Sequence, residues 1–107
     1  MIVVTTEHVS GQQETASLGL VRGSSIRARH VGKDIMAVFR NLVGGEVHEY
    51  SKLLGESREQ AVDRMIEEAQ ALGADAIIGV RFQTSMVMQG AAEMLCYGTA
   101  VKLEAAF

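Results

Sequence analysis

The 107-residue sequence contains no proline, no tryptophan and a single cysteine, Cys96. A lone cysteine rules out an internal disulfide framework and fits a reducing compartment. Two tyrosines and three phenylalanines, scattered along the chain, are too few for a platform on which nucleic-acid bases stack. Basic residues are in the minority. A net charge of −3 and a pI near 5.5 argue against a nucleic-acid-binding module. No stretch approaches the roughly 18 consecutive apolar residues of a membrane span. Residues Met1 to Glu7 carry neither a basic n-region nor a long apolar h-region, so no secretory signal is expected and a cytoplasmic location is the default. Catalytic signatures are missing as well. Thr5, Thr6, Ser24 and Ser25 form no nucleophile elbow. Gly44-Gly45 lacks the lysine and hydroxyl residue that would complete a phosphate loop. Cys96 has no histidine near it in sequence and no helix N-terminus to lower its pKa. The expectation is a protein that is not an enzyme.

What is present is apolar and well patterned. Hydrophobic residues make up 48% of the chain, which excludes disorder. The length fits one domain spanning residues 1–107, with a small margin of buried surface. Ala61, Val62, Met65, Ile66, Ala69 and Leu72 recur at spacings of three and four, the stripe of an amphipathic helix. Ser57 and Gln60 have the spacing of a capping box, and Gly73 stands where a left-handed terminator is wanted. Upstream, Tyr50 and Leu54 stay in phase with this stripe. One long helix from about Glu46 to Leu72 is therefore preferred over a new start at Ser57, with Gly55 tolerated at about 1 kcal/mol.

Strands fill most of the remainder. Ile2–Thr6 is a β-branched run, and a partner on a neighbouring copy would cover its edge. Thr15–Arg22 reads as a strand, with a continuation through Ile26 after a bulge as the alternative. Asp34–Val43 has the pattern of a short helix. Ala76–Met88 and Ala92–Leu103 flank a Gln89-Gly90 turn signal and form a hairpin. In the first of these strands Ile78, Val80 and Phe82 share one parity, expected to be the core side. Glu104–Phe107 reads as a frayed end. The fold class is α+β: two layers, an antiparallel sheet carrying a short and a long helix.

The residues that could carry chemistry are few. With a Gln89–Ala91 loop, Met86 faces Met94 and Thr84 faces Cys96, so the sulfurs of Met86, Met88, Met94 and Cys96 lie on one face. Thioether and thiolate donors select soft ions such as Cu(I). Methionine is equally a gap filler and free cysteine a buried residue, so core or subunit interface is the principal reading, and a metal site at Met86, Met94 and Cys96 the alternative. A two-residue loop would change the pairing. His8, His30 and His48 show no two-ligand spacing, though His48 with Glu46 and Glu49 could attract a divalent ion. Asp75 could be a carboxylate ligand or base, with a loop aspartate bonding to local backbone as the principal reading. Arg22, Arg27, Arg29, Lys33 and Arg40 cluster ahead of the acid-rich Glu46–Glu68 stretch, which reads as two solvated faces or, more sharply, as a division that head-to-tail assembly would use.

One resemblance covers nearly the whole chain. Gly44-Gly45 before Tyr50, Ala71-Leu-Gly-Ala-Asp-Ala76, Gly79 and Gly98-Thr-Ala-Val101 resemble the YbjQ-like family of bacterial and archaeal proteins. The resemblance implies a β-α-β-β domain of the dodecin-subunit type, assembled into a pentamer. The family's heavy-metal-binding label rests on structural comparison, and no reaction is established for it. It supplies no ligand or catalytic residues to carry over. What it implies is a homo-oligomeric small binding domain; the alternative is a scaffold without a ligand.

Overall fold

The computed structural model describes residues 1–28, 48–88 and 91–106, with side chains described for 1–26, 54–86 and 92–106. Its elements are β1 (Ile2–Val3), β2 (Gln12–Ala28), α1 (His48–Ala71), β3 (Ala76–Met88) and β4 (Ala91–Ala105). The expected short helix at Asp34–Val43 lies outside the described residues.

The sheet order is β1-β3-β4-β2. β4 pairs antiparallel with both β2 and β3, whereas β1 pairs parallel with β3, Ile2 opposite Ala76 and Val3 opposite Ile77. The sheet is therefore mixed and not antiparallel, and the N-terminal strand finds its partner within the chain. Backbone bonds extend this edge, from Val4 N to Ile77 O, Gly79 N to Thr6 O and Val80 N to Val4 O. Such pairing leaves no side-chain pattern to read, because the crossover through β2 and α1 brings the two strands together.

β2 is longer than expected. It runs through Gly23-Ser24-Ser25 and absorbs irregularities between Glu14 and Ala16 and between Ser17 and Gly19. β4 likewise continues through Glu104, which pairs with Gln13, and Ala106 N donates to Gly11 O. The C-terminal stretch up to Ala106 is thus tied down, and only Phe107 lies outside the described residues.

The single long helix is as expected, with Gly55 inside it and Gly73, at φ 77°, just past its end. Ser57 and Gln60 do not cap it. They lie within the helix and meet β2 instead: Ser57 Oγ donates to Ser25 O at 3.4 Å, and Ser25 Oγ donates to Gln60 Oε1 at 2.6 Å. Ala61, Met65 and Ala69 are fully buried against Val21, Met94 and Cys96. Burying Met65 alone contributes about 1.5–3 kcal/mol. Val62 and Ile66 flank the contact, while Leu72 is exposed. The helix can lie this close because of Gly23. A Cβ there would sit 2.0 Å from Ala61 O and 2.5 Å from Met65 N.

α1 covers β2 and β4 and scarcely reaches β3. One sheet face is therefore only partly roofed, and the other has no helix over it among the described residues.

Candidate functional site

Two places on this scaffold gather reactive side chains. The first holds the sulfurs. Residues opposite one another in an antiparallel pair share a face. The observed register sets Phe82 opposite Cys96, Thr84 opposite Met94 and Met86 opposite Ala92. This is two residues away from the expected pairing, because Met88 pairs with Ala91 and an irregularity lies between Met86 and Met88. Met86 consequently does not face Met94. Met86, Met94 and Cys96 remain on the helix side, but in different settings, and the side chain of Met88 lies outside the described residues. Cys96 and Met94 are buried under α1, and Met86 is exposed beside it.

Two contacts define the buried sulfurs. Thr84 Oγ1 donates to Met94 Sδ at 3.3 Å. Burial pushes the Cys96 thiol above its ordinary pKa, against a smaller opposing effect of a backbone hydrogen bond at Gly23. The thiolate, the form that binds soft ions, is thus disfavoured within one chain. Among the described residues no group of three or more His, Cys, Asp or Glu side chains converges as a metal site. His30 lies outside the described residues, and the side chains of His48 and Glu49 do too, with Glu46.

The second place was not anticipated from the sequence. It is a cleft of about 350 Å³ on the face opposite α1, lined by Glu7, His8, Ile78, Gly79, Arg81 and Thr99. A bulge in β3 creates it. The ladder with β4 skips from Ile78 to Arg81, and Gly79 adopts φ 62°, a left-handed conformation that favours glycine. The bulge also changes which residues face the core. Ile77 and Val80 are buried, Ile78 is half-buried opposite Thr99, and Phe82 lies exposed on the helix side. The expectation that Ile78, Val80 and Phe82 form one face therefore fails at Gly79. A mid-strand glycine was the available signal.

Two of the cleft's lining residues, Arg81 and His8, are held in place. Arg81 Nη1 donates to Thr5 O and to Val80 O, each at 2.8 Å. Glu14 Oε1 lies 3.0 Å from His8 Nδ1, and Thr6 Oγ1 donates to His8 O at 2.7 Å. A backbone hydrogen bond and then the His8 imidazole hold the Glu14 carboxyl below its ordinary pKa. Beside the cleft, Tyr97 lies between Arg22 on β2 and Arg81 on β3.

Asp75 bonds across to β4 and not to the local backbone expected. Its carboxylate accepts from Leu103 N at 2.9 Å and Lys102 Nζ at 3.2 Å, which pins the helix–strand corner to β4. Both bonds, the backbone one first, hold its pKa below the ordinary value.

The YbjQ family model, described as "Putative heavy-metal-binding", matches residues 1–104. The chain belongs to this family. A UPF0145 protein of Methanosarcina acetivorans is 58% identical over 103 residues, covering 96% of this chain and 97% of that protein. A UPF0145 protein of Clostridioides difficile is 60% identical over 104 residues, covering 97% and 93%. Among solved structures, a DUF74-family protein of unknown function from Pediococcus pentosaceus matches with a TM-score of 0.61 and 18% identity, over 97% of this chain and 98% of that one. That likeness supports the YbjQ-like fold and nothing finer. None of the described helices is long and apolar enough to cross a membrane.

Proposed function

We propose that this YbjQ-like chain is a non-enzymatic, cytoplasmic binding domain that works as a homo-oligomer, with five copies as the family resemblance implies. The observation that carries this reading is uncovered apolar surface on both faces of the sheet. Leu20 and Ile26 are 64% and 60% exposed on the face away from α1, and Phe82 and Met86 are 45% and 64% exposed beside α1. The chain presents 6894 Å² of accessible surface, whereas a compact monomer of this mass presents about 5,800 Å². Its radius of gyration is 17.4 Å, against about 13 Å for a compact domain of this length. Leu20 and Ile26 are separated on their face by Arg22 and Ser24, and Phe82 and Met86 on theirs by Thr84; these are the apolar side chains that association would cover, and copies of the same chain are the partners always at hand.

The non-enzymatic part rests on the side chains described. The imidazole of His8 is held by Glu14, and no hydroxyl or thiol nucleophile bonds to it. For the ligand, the family's description points to a heavy metal. Met86 is the exposed sulfur of the three candidates, so a soft ion at Met86, Met94 and Cys96 would require α1 to yield or a neighbouring copy to add donors. A scaffold that binds nothing is the other class, and a titration separates the two.

Mass in solution at micromolar concentration tests the assembly. A species of five times 11.5 kDa is expected, and a clean monomer defeats the proposal. Titration of the reduced protein with Cu(I) and Zn(II) tests the metal. Equal binding by the native protein and a Met94→Leu, Cys96→Ala variant removes the sulfur site.

A further inference from the structure

We propose that the cleft between the Thr5–His8 segment and the β3 bulge binds a small zwitterion of the amino-acid class, its carboxylate on Arg81 and its ammonium on Glu7. The inference rests on the reading of this chain as a binding domain, but not on its assembly.

Four observations lead there. First, the bulge opens the cleft. A Cβ on Gly79 would meet no heavy atom within 4 Å, so the strand is unfilled at the point where its left-handed backbone turns. Bulges recur where a strand re-aims a side chain next to a site, and here the ladder resumes at Arg81. Second, the guanidinium is anchored in advance. Nη1 is fixed on Thr5 O and Val80 O, while Nε and Nη2 make no hydrogen bond among the described residues. A guanidinium so held has a planar edge left for a carboxylate. Third, the charges of the lining come to one of each sign. His8 is paired with Glu14, which leaves Arg81 and Glu7. A simple anion would satisfy the arginine and face the unmatched glutamate, and a simple cation would do the reverse. A ligand carrying both charges satisfies both. Fourth, the size suffices. A cleft of about 350 Å³ is at the small end of ligand sites and has room for a single amino acid with its side chain over Ile78 and near the Thr99 hydroxyl.

The test uses the full-length protein labelled with ¹⁵N, titrated separately with L-leucine, L-alanine, acetate, methylammonium and inorganic phosphate. Amide shifts are expected at residues 6–8, 78–81 and 99 with the two amino acids, and acetate and methylammonium should each bind about tenfold more weakly. Arg81→Gln and Glu7→Gln should each weaken amino-acid binding about tenfold with the spectrum otherwise intact. Glu7→Gln keeps the test valid if the arginine variant loosens the segment. Absence of shifts at about 10 mM ligand overturns the inference. So does binding of acetate or phosphate as tight as that of leucine, which would make this a plain anion site. Solution mass measured on the same samples separates the two proposals: an oligomer without shifts sinks the ligand alone, and a monomer with shifts sinks the assembly alone.

Discussion

Replacing Gly23 with alanine should lower stability sharply, although alanine is the better residue on intrinsic grounds. At a permissive position the change gains about 0.4–1 kcal/mol by restricting the unfolded chain. Here the new methyl would stand 2.0 Å from Ala61 O and 2.5 Å from Met65 N, both backbone atoms of α1 that no rotamer change can move. Comfortable contact needs about 3.5 Å, so the helix must retreat by roughly 1.5 Å. A gap of even 0.5–1 Å forfeits about a quarter to a half of the dispersion energy of the contact atoms. Those atoms include fully buried Ala61, Met65 and Ala69 facing Val21, Met94 and Cys96. Overpacking of this kind costs about 1–3 kcal/mol. The Ser25–Gln60, Ser57–Ser25 and Arg64–Ser24 hydrogen bonds span the same seam, at about 1 kcal/mol for each one broken. The sum is about 3–5 kcal/mol out of a typical total of about 5–15. Thermal unfolding followed by circular dichroism, at fixed protomer concentration, should show Tm falling by at least about 12 °C. Gly55→Ala is the matched control. It lies within α1 with only Arg58 Nη2 near, at 3.9 Å, and should raise stability by up to about 1 kcal/mol. A Gly23→Ala protein melting at or above the wild type would refute the close-approach argument.

Two further outcomes concern ionisation. The folded state holds the Asp75 carboxyl below its ordinary pKa through Leu103 N and Lys102, so its contribution is complete above the unfolded value of about 4. That contribution disappears as pH falls through the lower folded value. Asp75→Asn should therefore destabilise the protein at pH 7 and flatten the acid limb of a Tm-versus-pH curve; an unchanged acid limb would contradict the pairing. Cys96, buried and held as a thiol, should react with a thiol reagent at pH 7 far more slowly in the native protein than in guanidinium. Equal rates would show that α1 does not shield it.

How much of this was legible in the sequence depends on whether side chains or backbone carry the information. The helix was legible because Ala61, Met65 and Ala69 repeat with the period of the element that buries them. So was the hairpin, bracketed by Gln89-Gly90, and the family, which matches along almost the whole chain. Register was not. The pairing of Met88 with Ala91 and the irregularity after Met86 together displace the register by two, which preserves the face of each residue while separating Met86 from Met94. Faces failed at Gly79, where one extra residue reverses the alternation and sends Ile78 and Phe82 to opposite sides. The partner of β1 is fixed by main-chain bonds such as Val4 N to Ile77 O, which leave nothing in the residue pattern. The cleft was invisible for the same reason. Glu7, His8, Ile78, Arg81 and Thr99 are distant in sequence, and only the bulge and the parallel edge bring them together.

The pairing of β2 with β4 has a bearing on how the chain is made. Gln12 sits opposite Ala105, about 90 residues away, so the longest ladder among the described residues is built from highly non-local contacts. Folds dominated by such contacts form slowly. A ribosome adding about 5–20 residues per second needs several seconds between finishing β2 and supplying its mate. During that interval Val21, fully buried in the finished chain, has no β4 beside it and stays open to solvent until α1 docks over Gly23.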